Sequence, residues 1–473
     1  MPKIEHVVVL MLENRSFDSV LGRLYPKNER FDGLTGAECN PWHKPNGTVV
    51  PIRVWNDESI TPAAARIPVA DPGELFDDIA MQLFGLTAAA ERRATMSGFV
   101  DNYMRQPRRE TSPDPKAVMH YFMPEQLPVI SGLGRAFGIS DRWHASAPCE
   151  TWPNRYFAHC GTAGGHVNNE RSTFPYRWPR AMPSIFRRLD AHGHSWKVYF
   201  HDLPQAATLI DLWIKIPTHF CLFEAEFARH ARLGRLPNYS FIEPRYYPSR
   251  LFRKVPNDQH PPHNMLYGEQ LIAAVYNAVR TAPTWERTLL VITYDEHGGC
   301  FDHVPPPPAV SPGGPCPDGF AFDRYGVRVP AVIISPFIPP GSIIRPPPDT
   351  GGEAPFPFDH ASIPATLQRL FDLGPPLTPR VAAAPDLLSA LTLARPENSG
   401  PEQVSAKRGQ PSAEDLAMLS RHPRNRHQRH FRAPMVRAPA AAASIAAGLR
   451  GAGAKMMSAR SRRRRHLAAG EAS

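Results

Sequence analysis

The sequence predicts an α/β protein whose buried strands end in oxygen-bearing side chains. Three observations predict it. Thr288 to His303 reads TLLVITYDEHGGCFDH, a short apolar and β-branched run that stops at Asp295 and Glu296. Its length suits a buried strand rather than a helix. Ile4 to Leu12 (IEHVVVLML) is nearly continuously apolar and runs into Glu13 and Asn14, the pattern of a strand covered on both faces. Gly268 to Arg280 has amphipathic helical spacing and leads into the Thr288 strand. Open α/β sheets place ligand sites at the C-terminal ends of their strands.

The remaining elements follow in order. After the first strand, Ser16 or Asn14 is placed to cap a short helix that runs toward Leu21 and ends at Gly22. Residues 23–70 read as loop. Asp71-Pro72-Gly73-Glu74 opens a helical pattern through Phe76, Ile79, Leu83 and Phe84. Met96 to Tyr103 and Met119 to Phe122 read as packed connections, and Ser131 to Ser140 as a short element. In Ser146 to Gly165, Thr151 stands just before Trp152-Pro153, which puts its hydroxyl at a helix N-terminus. Ile185 to Leu189 is a helix ended by His192-Gly193. Two further strands, Ser195 to Phe200 and Tyr239 to Ile242, run into His201-Asp202 and Glu243-Pro244. Ala331 to Ser335 is another strand, and an apolar helix follows Phe358-Asp359-His360.

Of 473 residues, 42% are hydrophobic and 21% charged, ordinary for a globular body. The net charge of +10 is uneven. Residues 401–473 hold 15 Lys and Arg against 4 acids, so the first 400 are close to neutral. The body is therefore not a polyanion-binding surface by composition. We expect a catalytic domain over 1–400 and a basic, disordered tail over 401–473. The run Arg462-Arg463-Arg464-Arg465 in that tail suits an anionic membrane or nucleic acid. Six cysteines without a CxxC pair are expected to be reduced thiols. No apolar run reaches the length of a membrane span, and no signal peptide is visible. A cytoplasmic protein is the default expectation, with export by another route open. No repeat, P-loop, dinucleotide fingerprint or Gly-x-Ser-x-Gly occurs, the last counting against an α/β-hydrolase.

Two adjacent carboxylates at a strand end repel unless a cation or proton lies between them. Gly298 and Gly299 would let backbone approach a ligand closely. A helix N-terminus favours an anion such as phosphate, and a hydroxyl beside a metal becomes a nucleophile. Hard cations take oxygen ligands, while histidine suits zinc-like ions. The expected cofactor is therefore a divalent ion: calcium, manganese or zinc.

Four motifs occur in one order. They are Glu13-Asn14-Arg15-Ser16-Phe17-Asp18, Thr151-Trp152-Pro153-Asn154-Arg155, Asn257-Asp258-Gln259-His260-Pro261-Pro262, and Tyr294-Asp295-Glu296-His297-Gly298-Gly299 with Asp302-His303. Any one is weak. Together they resemble the phosphoesterase family of bacterial phosphatidylcholine-type phospholipases C and the related acid phosphatase, within the alkaline-phosphatase-like superfamily. The resemblance runs from about Ile4 to about Leu393. It implies a doubly wound sheet with helices on both faces and long loops. It implies that Glu13, Asn14, Asp295 and Glu296 hold a metal, with Thr151 as ligand and nucleophile. His260 matches a histidine near the phosphoryl group, and His201 matches by chain position. His297, His303 and Asn154 are the expected substrate contacts. Relatives often carry His where this chain has Glu74.

The expected activity is metal-dependent hydrolysis of a phospholipid or other phosphate ester, of phospholipase C type. An acid-phosphatase-type phosphomonoesterase is the alternative on the same residues. A non-catalytic protein that binds through its basic tail is the distant one.

Overall fold

The structure, a computed structural model, describes residues 3–59, 61, 63–86, 93–107, 113–169, 182–249, 251–347, 356–406, 411 and 415–417. Its strands are β1 (His6–Leu12), β2 (Cys39–His43), β3 (Val49–Arg53), β4 (Gly138–Ile139), β5 (Trp196–Phe200), β6 (Phe220–Leu222), β7 (Tyr239–Ile242), β8 (Thr288–Tyr294), β9 (Ala331–Ile334) and β10 (Ser342–Ile343). Eight form one sheet in the order β10-β4-β9-β8-β1-β7-β5-β6. Strands β8, β1, β7, β5 and β6 are parallel, whereas β9 runs antiparallel to β8. The sheet is thus mixed.

Every residue of β8 and all but the first of β1 are buried. Side chains alternate across a strand, so both faces of the sheet are covered. Neighbouring strands show by which helices. Tyr239 and Trp196 meet Phe186 of the helix Ile185–Ala191, and Phe241 meets His159 of the helix Thr151–Cys160. Tyr199, on the opposite face of β5, meets Phe227 of the helix Phe223–Arg232. The helix Met265–Arg280 packs with that second group and against β1 and β8.

Several expectations need correction. Residues 23–70 contain the β2–β3 hairpin, whose proline-bearing strands hide the alternation. The stretch read as a connection over 96–103 runs into the helix Phe99–Arg105. Helix Met265–Arg280 starts three residues earlier than expected, because Asn264 caps it by accepting from Leu266 N. Residues 401 and 404 bond to this body. Tyr276 Oη donates to Pro401 O, and Asn277 and Val404 exchange hydrogen bonds. Asp415 pairs with Arg66 and accepts from Tyr267 Oη. The rest of the expected tail, including Arg462 to Arg465, lies outside the described residues. All six cysteines are free. Among the described residues no helix is long and apolar enough to cross a membrane.

Candidate active site

Strand register builds the site. β1 and β8 pair in parallel from His6 opposite Thr288 to Leu12 opposite Tyr294. The residues after each strand therefore emerge side by side: Glu13-Asn14 from one, Asp295-Glu296 from the other. The chain turns sharply at Asn14, which adopts φ +58, a conformation asparagine tolerates better than most residues. Its backbone N–H donates to Asp295 Oδ1 at 3.1 Å. Its side-chain Nδ2 donates to Glu296 Oε1 and, at 3.0 Å, to Glu74 Oε1. Gly298 donates to Glu296 Oε2 at 2.7 Å.

The two glycines serve the protein rather than a ligand, contrary to expectation. Both have positive φ, +61 and +64. A Cβ on Gly298 would collide with the Asn14 backbone, and one on Gly299 would meet Pro72 and the Gly73 carbonyl. They let the Asn14 turn and the 71–74 segment close over the acids. Helix Phe76–Phe84 begins only after Leu75, so Asp71 to Glu74 is an extended approach and not a first helical turn.

Arg155 is the cation that ties the strand ends together. It lies one helical turn after Thr151 in Thr151–Cys160, so the two share a face. Nε donates to Asp295 Oδ2 at 3.0 Å. Nη2 reaches Glu13 Oε1 at 3.3 Å and the carbonyls of Met11 and Leu12 at 3.3 and 3.2 Å. Glu150 caps this helix, which makes Thr151 its first residue rather than its cap. Trp152 N donates to Asn169 Oδ1. Thr151 is buried. Asn154, expected as a substrate contact, is hydrogen-bonded within its own turn. Its amide is committed to Ala147, Cys149 and Glu150 backbone groups and shapes the turn that presents Thr151.

His260 reaches the cluster from a different loop. Its Nε2 lies 3.1 Å from Glu74 Oε1, and its Nδ1 donates to Pro261 O at 2.7 Å. Burial by itself would lower its pKa, but Glu74, with Asp71 and Glu13 behind it, raises it well above the ordinary value. These carboxylates favour the protonated form of the ring. Asp258, whose carbonyl accepts from Glu13 N, receives His263 Nδ1 at 2.7 Å.

Of the other expected histidines, His297 lies against the cluster, its Nδ1 3.4 Å from Glu296 Oε2, while His201 and His303 bond to other groups. His201 stacks on Phe223 and donates to Glu243 O at 2.8 Å; burial lowers its pKa to about 4. It touches the site only through Glu243 and Gln205, whose Nε2 donates to Glu13 Oε1 at 2.6 Å. His297 donates to Gln82 Oε1 at 2.7 Å, packs on Phe99, and is pushed down to about 3 by burial. His303 belongs to a second ionic cluster. Its ring nitrogens donate to Asp18 at 2.6 Å and Asp32 at 3.2 Å, while buried Arg328 bonds Asp18 and Asp302. That guanidinium and His303 together face the Asp18–Asp302 pair.

Two participants were not singled out from the sequence. His360 donates from Nε2 to Asp295 O at 2.6 Å while its Nδ1 accepts from Trp143 Nε1. Arg155 was visible within its motif, four residues beyond Thr151. His360 follows an acid in an otherwise unremarked loop, and nothing in its spacing identified it.

The residues fit a bound cation. Glu13, Asp295 and Glu296 are fully buried; burial pushes all three pKa values up, and repulsion from Asp295 adds to it at Glu13 and Glu296. Asn14 Oδ1 is buried without a hydrogen-bond donor. Against these acids and Glu74 stand Arg155 and His260. Asp71, Glu74 and His260 also converge closely enough to share an ion. A groove of about 1210 Å³ lies at the opposite end of the strands, beside Ile4, Glu5 and Asn238, away from these groups.

Residues 4–374 match the Phosphoesterase family. The chain is 38% identical over 384 residues to non-specific phospholipase C1 of Arabidopsis thaliana, covering 78% of this chain and 67% of that one. Non-specific phospholipase C3 of the same plant is 35% identical over 412 residues, with 84% and 75% covered. Phospholipase C A of Mycobacterium tuberculosis is 28% identical over 450 residues, with 84% and 78% covered. A crystal structure of a protein in the alkaline phosphatase superfamily from Vibrio parahaemolyticus superposes at a TM-score of 0.31 and 12% identity, over 55% of this chain and 63% of that one. The family match spans all eight strands of the main sheet and every residue of the acidic cluster, and the chain belongs to the Phosphoesterase family.

Proposed function

We propose that the chain is a metal-dependent phosphodiesterase of phospholipase C type, acting on a phospholipid through Thr151. One observation carries the reading. The β1–β8 register sets Glu13-Asn14 beside Asp295-Glu296, and Arg155, on the helix that begins with Thr151, bonds to both strand ends. Arg155 links the helix that begins at Thr151 to the acids, which supports placing the Thr151 hydroxyl beside a cation held by them. Glu13, Asn14, Asp295 and Glu296 would hold the divalent ion; when bound, it supplies Lewis-acid stabilisation and lowers the pKa of a nearby hydroxyl. The oxygen-rich donor set favours calcium or manganese over zinc.

Thr151 Oγ1 attacks phosphorus and its proton passes to solvent or a neighbouring carboxylate. The bond from phosphorus to the glyceride oxygen breaks as the new bond forms. His260, kept protonated by Glu74, gives its proton to the departing alkoxide. Water then attacks phosphorus and gives a proton to His260; the bond from phosphorus to Thr151 Oγ1 breaks, Oγ1 takes back a proton from the carboxylate or solvent, and the head group leaves as its phosphate monoester. His201 takes no proton in this scheme; it steadies Glu243 and, through Gln205, Glu13. The catalytic body covers the family match and its extension to about residue 406.

The test is hydrolysis of p-nitrophenyl phosphorylcholine beside p-nitrophenyl phosphate, with chelator and metal add-back. Wild type should turn over the diester only with metal, and Thr151→Ala should lose about a thousandfold or more in kcat. A Thr151→Ala rate within tenfold of wild type would overturn the nucleophile. Turnover of the monoester alone would move the chain to the phosphatase reading.

A further inference from the structure

We propose that the loop tip carrying Leu251 and Phe252 is a hook that seats the protein on a phospholipid bilayer, with both side chains entering the membrane. The inference rests on the phospholipid reading of the site for its choice of partner, but its geometry stands by itself. β7 ends at Ile242 beside Glu243, and the chain returns to the site at Asp258 and His260. Between them it makes an arm. Arg245 and Asn257 clasp its base, with Arg245 N donating to Asn257 Oδ1 and Asn257 N to Arg245 O. Ser249 and Lys254 exchange both backbone hydrogen bonds, at 2.8 and 2.9 Å, and close the tip.

Leu251 is 85% exposed and Phe252 70%. Consecutive large apolar residues left this bare on a closed tip are unusual in a soluble protein and mark a surface that meets something apolar. The surrounding charges choose the partner. Arg253 follows the pair directly and the sequence places Arg250 before it. Lys254 and Arg245 share Glu224 as a counterion, which braces the arm rather than leaving them as the binding charges. An apolar pair flanked in sequence by arginines fits acyl chains beneath phosphate head groups. The arm also leaves the sheet at the strand ends that carry the acidic site, so seating the tip would bring the lipid phosphates and the site to the same side of the molecule.

The test is sedimentation of the full chain with vesicles of phosphatidylcholine and phosphatidylglycerol in equal parts. Leu251→Ser/Phe252→Ser should lower the partition coefficient roughly tenfold to a hundredfold, since both side chains would forgo apolar burial. Its turnover of soluble p-nitrophenyl phosphorylcholine should match wild type. Phe252→Trp, which keeps the apolar tip, should partition like wild type and add indole fluorescence that brominated lipid quenches. Unchanged partition of the serine variant, or added indole fluorescence in Phe252→Trp that is indifferent to brominated lipid, overturns the hook. A wild-type dimer that the serine variant dissolves, with vesicle binding unaltered, would assign the tip to a second copy of the chain and overturn it as well. Failure of the wild type to hydrolyse the soluble diester would instead count against the proposed activity and leave the partition result untouched.

Discussion

Arg155→Met probes the frame of the site directly. Methionine keeps the length of the side chain and loses every polar contact. The guanidinium is fully buried and bonds Asp295 Oδ2 at 3.0 Å and Glu13 Oε1 at 3.3 Å. Removing one member of a buried ion pair costs about 3–5 kcal/mol, because the other charge is stranded. Unfolding entropy of about 2.1 cal/mol/K per residue amounts to about 0.8 kcal/mol/K for a body of about 400 residues. The melting temperature in chelator should therefore fall by about 4–6 °C. Glu13→Gln removes one stranded charge, so the double variant should lie at least about 1 kcal/mol above the sum of the two single losses. Adding a divalent ion should return part of the Arg155→Met loss by binding the folded state. Calorimetric melts of wild type, both single variants and the double, with and without metal, read all three quantities. A single-variant shift under about 1 °C, or losses that add within about 0.5 kcal/mol, would refute the view that Arg155 holds the two strand ends together.

Other perturbations test separate parts of the reasoning. Burial raises the pKa of Glu269 to about 7 from 4.5, although Val129 N and Ile130 N donate to it. A raised folded pKa means stability that is full below about pH 4.5 and lost as pH rises toward 7, about 3 kcal/mol in all. Glu269→Gln should lack that decline, so the melting difference between wild type and variant should change over this window; a constant difference would refute it. Gly298→Ala forces a side chain into the Asn14 backbone at φ +61, and should cost about 2–3 kcal/mol by urea melts and weaken metal binding measured calorimetrically. Glu74→His should lower the ratio of diester to monoester kcat/KM by about a hundredfold, read on the two nitrophenyl substrates.

The main-sheet core was legible because its strands are uninterrupted apolar runs with abrupt polar ends. β1, β5, β7, β8 and β9 all lie where the pattern put them, as does the helix that begins at Thr151. What the sequence hid has physical reasons. β2 and β3 belong to a separate two-stranded sheet and carry Pro41 and Pro51, so they show neither a continuous run nor a clean alternation. β4, β6 and β10 are two or three residues long, too short for any period. In the site, residues adjacent to strand ends were found because register converts sequence position into proximity. Asn154, His297 and His303 sit in the same motifs but point into turns, Phe99 or the Arg328 cluster, and motif membership does not distinguish these directions. His360 enters from a loop whose only mark is the helix after it.

Glu74 decides which ester the proposed site rewards. A phosphodiester carries one negative charge and a phosphomonoester carries up to two. At an effective dielectric near 20 and a separation of about 5 Å, each unit charge on the substrate meets about 3 kcal/mol from a neighbouring unit charge. A lone imidazolium at His260 would return that amount for the second charge of a monoester, roughly a hundredfold in affinity. Glu74, 3.1 Å from His260 Nε2, cancels most of that pull while keeping the proton on the ring. The pair thus retains an acid for the leaving group and withholds the extra attraction a dianion would enjoy. A histidine at 74 would do the reverse, adding positive charge while weakening the hold on the His260 proton. Under the proposed mechanism, Glu74 trades affinity for a second negative charge against a secure proton donor, an exchange that would favour the diester.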